Sequence, residues 1–377
     1  MNKKIQMVDL HGQYMKIKPE VDKGIQEVID TCAFINGPQV KEFAEELKDY
    51  SGAKHVITCA NGTDALQIAL MALGLQRGDE VIVPAFTYVA SAEVIGLLGL
   101  TPVMVDVDPR TFNVTADNLR KAISPRTKAI IPVHLFGQSC DMEPIMTLAK
   151  EHNLYVIEDN AQAIGSVYTF SDGHQRHTGT IGTIGCTSFF PSKNLGCYGD
   201  GGAIFTDDDR LAEKLHMIAN HGQKIKYHHS VIGCNSRLDT IQAVVLKAKL
   251  PYLDEYCAAR KAAADYYTTH LKDVKGIIVP EELPASTHVY HQYTLQVPDG
   301  KRDSLKDFLA TKGIPAMVYY PLPLQQQEAF KDITRAAESL EISQQLADSV
   351  LSLPIHTELT HEEQDVIIAA IKEFFNN

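Results

Sequence analysis

The 377-residue chain carries 35 lysines and arginines against 47 aspartates and glutamates, for a formal net charge of −12, and 45% of its residues are hydrophobic. This length and composition exclude extensive disorder and predict a globular protein with one large and one smaller domain. The acidic charge argues against nucleic acid or an anionic membrane as the main partner, so an anionic substrate would need a local cationic pocket.

The N-terminal segment MNKKIQMVDL turns polar too early for the apolar core of a signal peptide, so we expect a cytoplasmic protein. Seven cysteines are scattered singly, which favours reduced thiols and no metal site. The longest apolar run, residues 89–105, is interrupted by Glu93, Gly99 and Pro102. It therefore predicts a buried helix and strand instead of a membrane span.

From about residue 54 to 205, short β-branched runs alternate with amphipathic stretches. This alternation predicts the α/β class, with a mainly parallel sheet and helices on both faces. Ligands of such sheets bind at the carboxyl ends of the strands. The predicted strands are residues 55–59, 80–83, 102–106, 129–133, 154–158, 183–190 and 202–205, and the predicted helices begin at residues 63, 88, 117 and 142.

A long helical pattern begins near Leu238 and passes Pro251, and a mixed segment starts near Gly276. We therefore place a domain boundary near residue 250. A large domain is predicted over residues 1–250 and a small C-terminal α+β domain over residues 251–377. The predicted elements of the small domain are strands at 289–297 and 316–319 and helices at 302–312, 341–351 and 362–375.

A single lysine, Lys193, stands between an apolar strand and a glycine-rich turn. Its amine would project from a strand end into the ligand cleft, as expected of the amine that forms an imine with pyridoxal phosphate. A surface lysine in a turn is the ordinary alternative. The neighbouring motifs favour the first interpretation.

Pyridoxal phosphate also needs a carboxylate for its ring nitrogen and donors for its phosphate. Asp159 ends a predicted strand and could be that carboxylate, although it could equally cap the following turn. Gly62 and Thr63 open a helix whose free backbone N–H groups could bind phosphate, or could be satisfied by ordinary capping. Gln162 could contact the phenolic oxygen of the cofactor, or lie on a helix face.

Other candidates are polar or aromatic residues near strand ends. Ser188 could add a hydroxyl to the phosphate site, and Tyr88 could stack on the cofactor ring or be a core aromatic. Asn235 and Arg237 precede the long helix and suit phosphate or carboxylate recognition, with a salt-bridged helix start as the alternative. The cationic loop over residues 221–229 is more typical of a solvated loop than of an anion site.

These motifs resemble those of the DegT/DnrJ/StrS-type sugar-nucleotide aminotransferases, which have the type I fold of pyridoxal phosphate enzymes typified by aspartate aminotransferase. The resemblance runs nearly end to end. It covers the segments Gly37-Pro-Gln-Val, Asn61-Gly-Thr-Asp-Ala-Leu, Gly78-Asp-Glu-Val-Ile-Val-Pro, Pro132-Val-His-Leu-Phe-Gly, Glu158-Asp-Asn-Ala-Gln, Phe190-Pro-Ser-Lys-Asn-Leu-Gly, Gly233-Cys-Asn-Ser-Arg-Leu-Asp and Leu353-Pro-Ile-His.

The resemblance implies a role for each candidate. Lys193 would form the Schiff base with the cofactor, Asp159 would pair with the ring nitrogen, and Tyr88 would stack on the ring. Asn235 would reach the phosphate bound by a neighbouring subunit, which implies a homodimer with shared active sites. The remaining implied cofactor contacts are Gly62, Thr63, Gln162 and Ser188.

Within the family, the sequence looks most like the enzymes that aminate carbon 3 of UDP-2-acetamido-2-deoxy-3-oxo-glucuronate, which implies L-glutamate as donor and a place in bacterial lipopolysaccharide or O-antigen precursor synthesis. Arg237 would then bind the uronate carboxylate, near Tyr319 and Tyr320. Tyr319 and Gln325 stand where the family usually has histidine. The alternatives are a 4-keto or other 3-keto-6-deoxy nucleotide sugar as substrate, or a cofactor-binding regulatory protein without turnover.

Overall fold

The computed structural model describes residues 5–336 and 338–376. Its strands are β1 (His55–Cys59), β2 (Glu80–Pro84), β3 (Thr101–Val105), β4 (Thr127–Ile130), β5 (Tyr155–Asp159), β6 (Val167–Thr169), β7 (Gln175–His177), β8 (Ile184–Ser188), β9 (Gly202–Thr206), β10 (Gln223–Ile225), β11 (His228–His229), β12 (Tyr293–Gln296), β13 (Arg335–Ala336) and β14 (Val350–Leu353).

The helices surround the sheet and continue into the C-terminal third of the chain. They are α1 (Leu10–Thr31), α2 (Pro38–Ser51), α3 (Gly62–Leu73), α4 (Ala90–Leu97), α5 (Ala116–Ala122), α6 (Met142–Glu151), α7 (Asp209–Ala219), α8 (Thr240–Lys249), α9 (Leu253–Leu271), α10 (Arg302–Thr311), α11 (Glu341–Ser349) and α12 (His361–Asn376). No helix in the described ranges is both long and apolar enough to span a bilayer.

An eight-stranded sheet forms the centre, in the order β1-β9-β8-β5-β4-β2-β3-β13. Within the described strands of this sheet, only β9 runs against the others. The prediction of an α/β protein with a mainly parallel sheet is therefore confirmed.

Helices cover both faces of the sheet because its strands are apolar on both sides. In β2 all five residues are buried. Val81 and Val83 belong to the core cluster that contains α3, α4 and α7, whereas Ile82 belongs to the cluster with α5 and α6. Successive side chains of a strand point to opposite faces, so one continuous apolar run builds two cores.

The N-terminal helices, for which the sequence analysis made no prediction, pack against α8. Ile17 and Val21 of α1 form a small core with Val245 and Ala248. Phe43 and the rest of the buried face of α2 join the cluster on the other side of α8. The segment that precedes the sheet thus braces the helix that follows the active-site loops.

The C-terminal third differs in detail from its prediction. The strand predicted over residues 289–297 is limited to β12, which pairs antiparallel with β14. The strand predicted over residues 316–319 is wrong, since Met317 makes only an isolated bridge with Ser352. The helix predicted over residues 341–351 ends at Ser349, because the apolar residues that follow it pair as β14.

Contacts at the end and edge of β3 help to tie the C-terminal third to the large sheet. Strand β13 pairs in parallel with β3 at the sheet edge, where Arg335 Nη2 donates to a carboxylate oxygen of Glu80 at 3.0 Å. Asp106, which follows β3, accepts from the backbone N–H groups of Ile342 and Ser343 at the start of α11. The domain boundary near residue 250 stays a prediction.

Candidate active site

Lys193 lies in the loop that follows β8, with its backbone N–H bonded to the Phe190 carbonyl at 2.9 Å. Burial lowers the pKa of the Lys193 amine to about 8, and the negative charge of Asp159 opposes that shift only in part. Since only a neutral amine attacks a carbonyl, an amine with this pKa is a better nucleophile near neutral pH than an exposed lysine.

Asp159 is the last residue of β5, one strand away from the end of β8, and it pairs there with Cys186. Its side chain is buried, and its two oxygens accept from the hydroxyl of Ser91 at 2.6 Å and from the backbone N–H of Ala161 at 3.1 Å. These two donors stabilise an anion at the ligand edge of the sheet. The structure thus places Asp159 beside Lys193, and its pairing with the cofactor ring stays a prediction.

The start of α3 forms a cradle with the end of β8. A Cβ atom added to Gly62 would lie 2.7 Å from the Cβ of Ser188, so only glycine permits this approach. Asn61 caps the helix by accepting from the Asp64 N–H at 2.8 Å. The first N–H groups of α3, including that of Thr63, and the Ser188 hydroxyl are therefore close enough to bind one phosphate.

The segment before α8 reaches the same cradle. The hydroxyl of Ser236 accepts from the Ala60 N–H at 3.0 Å, just ahead of α3. Its neighbours in sequence are Asn235, which is exposed, and Arg237, which is half-buried. Within the part of the chain that the structure describes, the Arg237 guanidinium has no hydrogen bond or ion pair, so its charge is free for an anionic ligand.

Aromatic and amide side chains line the opposite side of the site. Gln162 Oε1 accepts from the Phe136 N–H at 2.8 Å, and its Nε2 donates to the Tyr320 hydroxyl at 3.1 Å. The Tyr320 ring lies 6.0 Å from the exposed ring of Tyr88 and 5.9 Å from that of Tyr319. Burial raises the pKa of Tyr320, so its phenol stays protonated. Gln162 thus connects the large sheet to the C-terminal third.

Sequence reasoning missed the residues that support these side chains. Ser91 bonds Asp159 from the first turn of α4, a position without any local sequence signal. His134 donates from Nε2 to Glu158 at 2.8 Å, while its Nδ1 accepts from the Cys140 N–H at 3.1 Å. Glu158 points to the face opposite Asp159, and this buried pair fixes the end of β5. His134 and Glu158 lie in the family motifs quoted above, and these motifs could have identified them as candidate site residues.

The described residues fit pyridoxal phosphate. A buried amine with a lowered pKa, a hydrogen-bonded carboxylate one strand away and a phosphate cradle opened by Gly62 are the groups that this cofactor requires. They lie at the carboxyl ends of β5 and β8, the ligand edge of a parallel sheet. This fold and this site define a pyridoxal phosphate-dependent enzyme.

Comparison with known proteins supports that class. Residues 15–372 match the model of the DegT/DnrJ/EryC1/StrS aminotransferase family. The chain belongs to this family.

Two relatives and one solved structure illustrate the likeness. The UDP-2-acetamido-2-deoxy-3-oxo-D-glucuronate aminotransferase of Pseudomonas aeruginosa is 47% identical over 367 residues, which cover 97% of this chain and 99% of the relative. A "Pleiotropic regulatory protein" of Geobacillus stearothermophilus is 46% identical over 375 residues, 99% of each chain. The structure of NtdA from Bacillus subtilis with bound cofactor PMP has a TM-score of 0.88 and 32% identity, covering 96% of this chain and 82% of NtdA.

These comparisons confirm the predicted family, the type I fold and the pyridoxal phosphate cofactor. They also confirm the prediction that the protein is a sugar aminotransferase. The individual site residues are not tested by them, and their roles remain predictions that rest on the geometry above.

Proposed function

We propose that this protein transfers the amino group of L-glutamate to carbon 3 of UDP-2-acetamido-2-deoxy-3-oxo-glucuronate, as a cytoplasmic homodimer that supplies a bacterial lipopolysaccharide or O-antigen precursor. The name of the Pseudomonas aeruginosa relative supports this substrate, since almost the full lengths of the two chains align. Seven free cysteines are in keeping with a reducing compartment.

The observation that carries the proposal is the proximity of Lys193, in the loop after β8, to Asp159 at the end of the adjacent strand β5. When bound, the cofactor supplies an electron sink for cleavage of a C–H bond next to nitrogen. Lys193, whose pKa is lowered to about 8, can accept a proton from the α-carbon of glutamate and return one to carbon 3 of the sugar. Asp159 would pair with the ring nitrogen and keep it protonated, which would maintain the electron-withdrawing character of the ring.

Substrate recognition is proposed for Arg237 and for Tyr319, Tyr320 and Gln325. The free, half-buried guanidinium of Arg237 suits the uronate carboxylate, which it can bind through two parallel hydrogen bonds. The Oε1 atom of Gln325 is buried without a hydrogen-bond partner among the described residues, so it can accept a bond from a ligand. Because the side chains of Tyr319 and Gln325 are uncharged, we propose that Arg237 is the residue that selects substrates with a negatively charged carboxylate.

The proposed homodimer is supported by the surface around the site. Phe34, Ile35 and Phe190 are 44%, 51% and 52% exposed, and Asn235 is also exposed. Large exposed apolar side chains favour a surface that a second copy covers. Asn235 would then contribute to the phosphate site of the partner subunit.

The test is incubation of the purified protein with glutamate and a set of UDP-keto sugars, followed by mass spectrometry. The 3-oxo-uronate should gain one amine. An Arg237→Met variant should raise KM for this sugar about tenfold to a hundredfold, because a hydrogen-bonded charge contributes about 1.5–3 kcal/mol. The matched control is the neutral 3-oxo sugar that lacks the carboxylate. For this sugar, the Arg237→Met variant should have nearly the same KM as the wild type. Amination of 4-keto sugars alone would contradict the proposed substrate.

A regulatory protein without turnover is the second candidate, favoured by the description of the Geobacillus stearothermophilus relative. The same incubation separates the two functions. A protein of this kind would bind the cofactor but form no amino sugar from any keto sugar tested, however long the incubation.

A further inference from the structure

Arg260, on α9, is a buried arginine that donates only to backbone carbonyls. Its Nη1 bonds the carbonyl oxygens of Tyr290 at 3.2 Å, His291 at 3.3 Å and Ile355 at 3.1 Å. The residue is 5% exposed, and no ion pair to it is found in residues 5–336 and 338–376. Because burial of a guanidinium is costly, these charge-assisted bonds must hold the carbonyls firmly in place.

Two of these carbonyls, those of Tyr290 and His291, belong to a segment, residues 289–292, that contacts the active site from two sides. Nδ2 of Asn194, the residue after the reactive lysine, donates to the Val289 carbonyl at 2.9 Å. The Val289 N–H donates in turn to the Gly137 carbonyl at 2.9 Å. A Cβ atom added to Gly137 would lie 2.9 Å from the backbone nitrogen of His291, so the two backbones are in close contact.

The same segment carries a buried imidazole that feels the positive charges of Lys193 and Arg260. His291 is 5% exposed, and its Nδ1 has no hydrogen-bond partner in the described part of the chain. Burial and the positive charges of Lys193 and Arg260 hold the pKa of His291 well below its usual range, so the ring stays neutral. This electrostatic coupling places the segment held by Arg260 near the amine of Lys193.

We propose that Arg260 is a positioning residue for Lys193. Through the carbonyls of residues 290 and 291 it fixes the segment that holds Asn194, and thereby the direction of the neighbouring amine. The inference rests on the proposed role of Lys193 as the amine that binds the cofactor. Arg260 itself touches no reacting atom, so its loss should misplace the amine without removing a chemical group.

The test compares Arg260→Met and Arg260→Lys with a matched control, Arg302→Met. Arg302, on α10, is 9% exposed and donates from Nη1 to the backbone carbonyls of Ala347 at 2.9 Å and Val350 at 3.3 Å. Its Nε also bonds the exposed Asp303 carboxylate at 2.6 Å, a contact that Arg260 lacks among the described residues. Through Nη1 it holds the backbone as Arg260 does, but at α11 and β14. Comparable losses of melting temperature in the two methionine variants would show that they loosen the fold to a similar extent.

Two readouts report on the position of the amine. The first is the pH titration of the visible absorbance of the cofactor-loaded protein, which depends on the surroundings of the linkage to Lys193. The second is the separation of kcat from KM for glutamate. Arg260→Met should shift the titration midpoint and lower kcat by up to about a hundredfold, since misplacement by about 1 Å has such effects, with little change in KM. Arg260→Lys should have a smaller midpoint shift and a smaller decrease in kcat. Arg302→Met should show neither change.

An unshifted midpoint with normal kcat in Arg260→Met would overturn the inference, and so would equal kinetic losses in Arg260→Met and Arg302→Met. Should Arg260→Met fail to fold, Asn194→Ala breaks the same connection from its other end and must give the same shift. A titration that persists in Lys193→Ala would instead overturn the role of Lys193, and the proposed function with it.

Discussion

Two buried lysines of this protein share a pKa lowered to about 8, and their surroundings differ. Lys193 follows β8 and feels the charge of Asp159 across the ligand edge of the sheet. Lys249, at the end of α8, is 1% exposed, donates to the Gly196 carbonyl at 2.6 Å and lies 4.6 Å above the ring of Tyr198. Burial lowers the pKa of both, so a lowered pKa alone does not identify the reactive amine.

The difference lies in what each amine can reach. Lys249 is bound to a carbonyl and covered by an aromatic ring, so it braces the loop over residues 194–199 that follows Lys193. The amine of Lys193 has no such partner among the described residues, and it lies in the loop after β8, with a carboxylate one strand away and a phosphate cradle beside it. Geometry toward a ligand, more than the depressed pKa, therefore separates a catalytic lysine from a structural one.

The largest expected effect separates the two lysines directly. Lys193→Ala should lower the aminotransferase rate by at least about 10³-fold, because it removes both the nucleophile and the proton carrier. Lys249→Met, which keeps most of the apolar stem, should keep the rate within about tenfold and lower the melting temperature, since the Gly196 carbonyl loses its donor. Steady-state rates and thermal melts of both variants check this. Equal loss of activity would contradict the comparison.

A second expected effect concerns Asp159, whose carboxylate acts on Lys193 but not on Lys249. Asp159→Asn keeps the size of the side chain and removes its charge, so we expect kcat to fall about a hundredfold. The pKa of Lys193 should be lower in the variant than in the wild type, because the charge of Asp159 raises it in the wild type. Steady-state kinetics over a pH series measures both changes.

Ser91→Ala is the matched control for Asp159→Asn. It removes one hydrogen bond from Asp159 and leaves the charge in place, which should cost only about 0.5–1.5 kcal/mol of transition-state stabilisation. If Ser91→Ala were as damaging as Asp159→Asn, the hydrogen bond and not the charge would be the important feature of this carboxylate.

The sequence could predict the part of the fold in which local pattern and tertiary structure agree. The predicted strands of the large sheet are short apolar runs, and five of them (β1, β2, β3, β4 and β9) lead to a helix, so the side-chain period distinguishes strand from helix. Lys193 and Asp159 could be found for the same reason, since Asp159 ends one such run and Lys193 lies in the loop after another. Because the carboxyl ends of parallel strands meet at the same edge of a sheet, the two residues could also be predicted to lie at a common ligand edge.

The rest depends on contacts between distant parts of the chain. The predicted strand at residues 316–319 has the right composition, but the structure offers it only one bridge, to Ser352. Asn194 meets Val289 and Gln162 meets Tyr320 across 95 and 158 residues, and no local motif specifies either pair. The side chains that position the site were therefore beyond sequence reasoning, although the reactive groups were not.

The smallest expected effect is the contribution of Lys249 to the pH dependence of the free energy of unfolding. Below about pH 8, Lys249 is protonated in both the folded and the unfolded chain, so burial of its charge destabilises the fold fully. Between about 8 and the ordinary lysine value of 10.5, the unfolded chain keeps a proton that the folded chain has lost. The free energy of unfolding should therefore rise with pH, by about 1.4 kcal/mol per unit for this one group.

Lys249→Met isolates that contribution, because every other titrating group is common to the two proteins. Urea unfolding of wild type and variant, measured side by side at about pH 7.5 and about pH 9, should show wild type gaining on the variant by about 1.2 kcal/mol, because most of the gain comes above pH 8. A constant difference would mean that Lys249 keeps its charge when buried, because the Gly196 carbonyl and the Tyr198 ring hold the ammonium form. The lowered pKa would then belong to Lys193 alone, and it would become a distinguishing mark of the reactive amine.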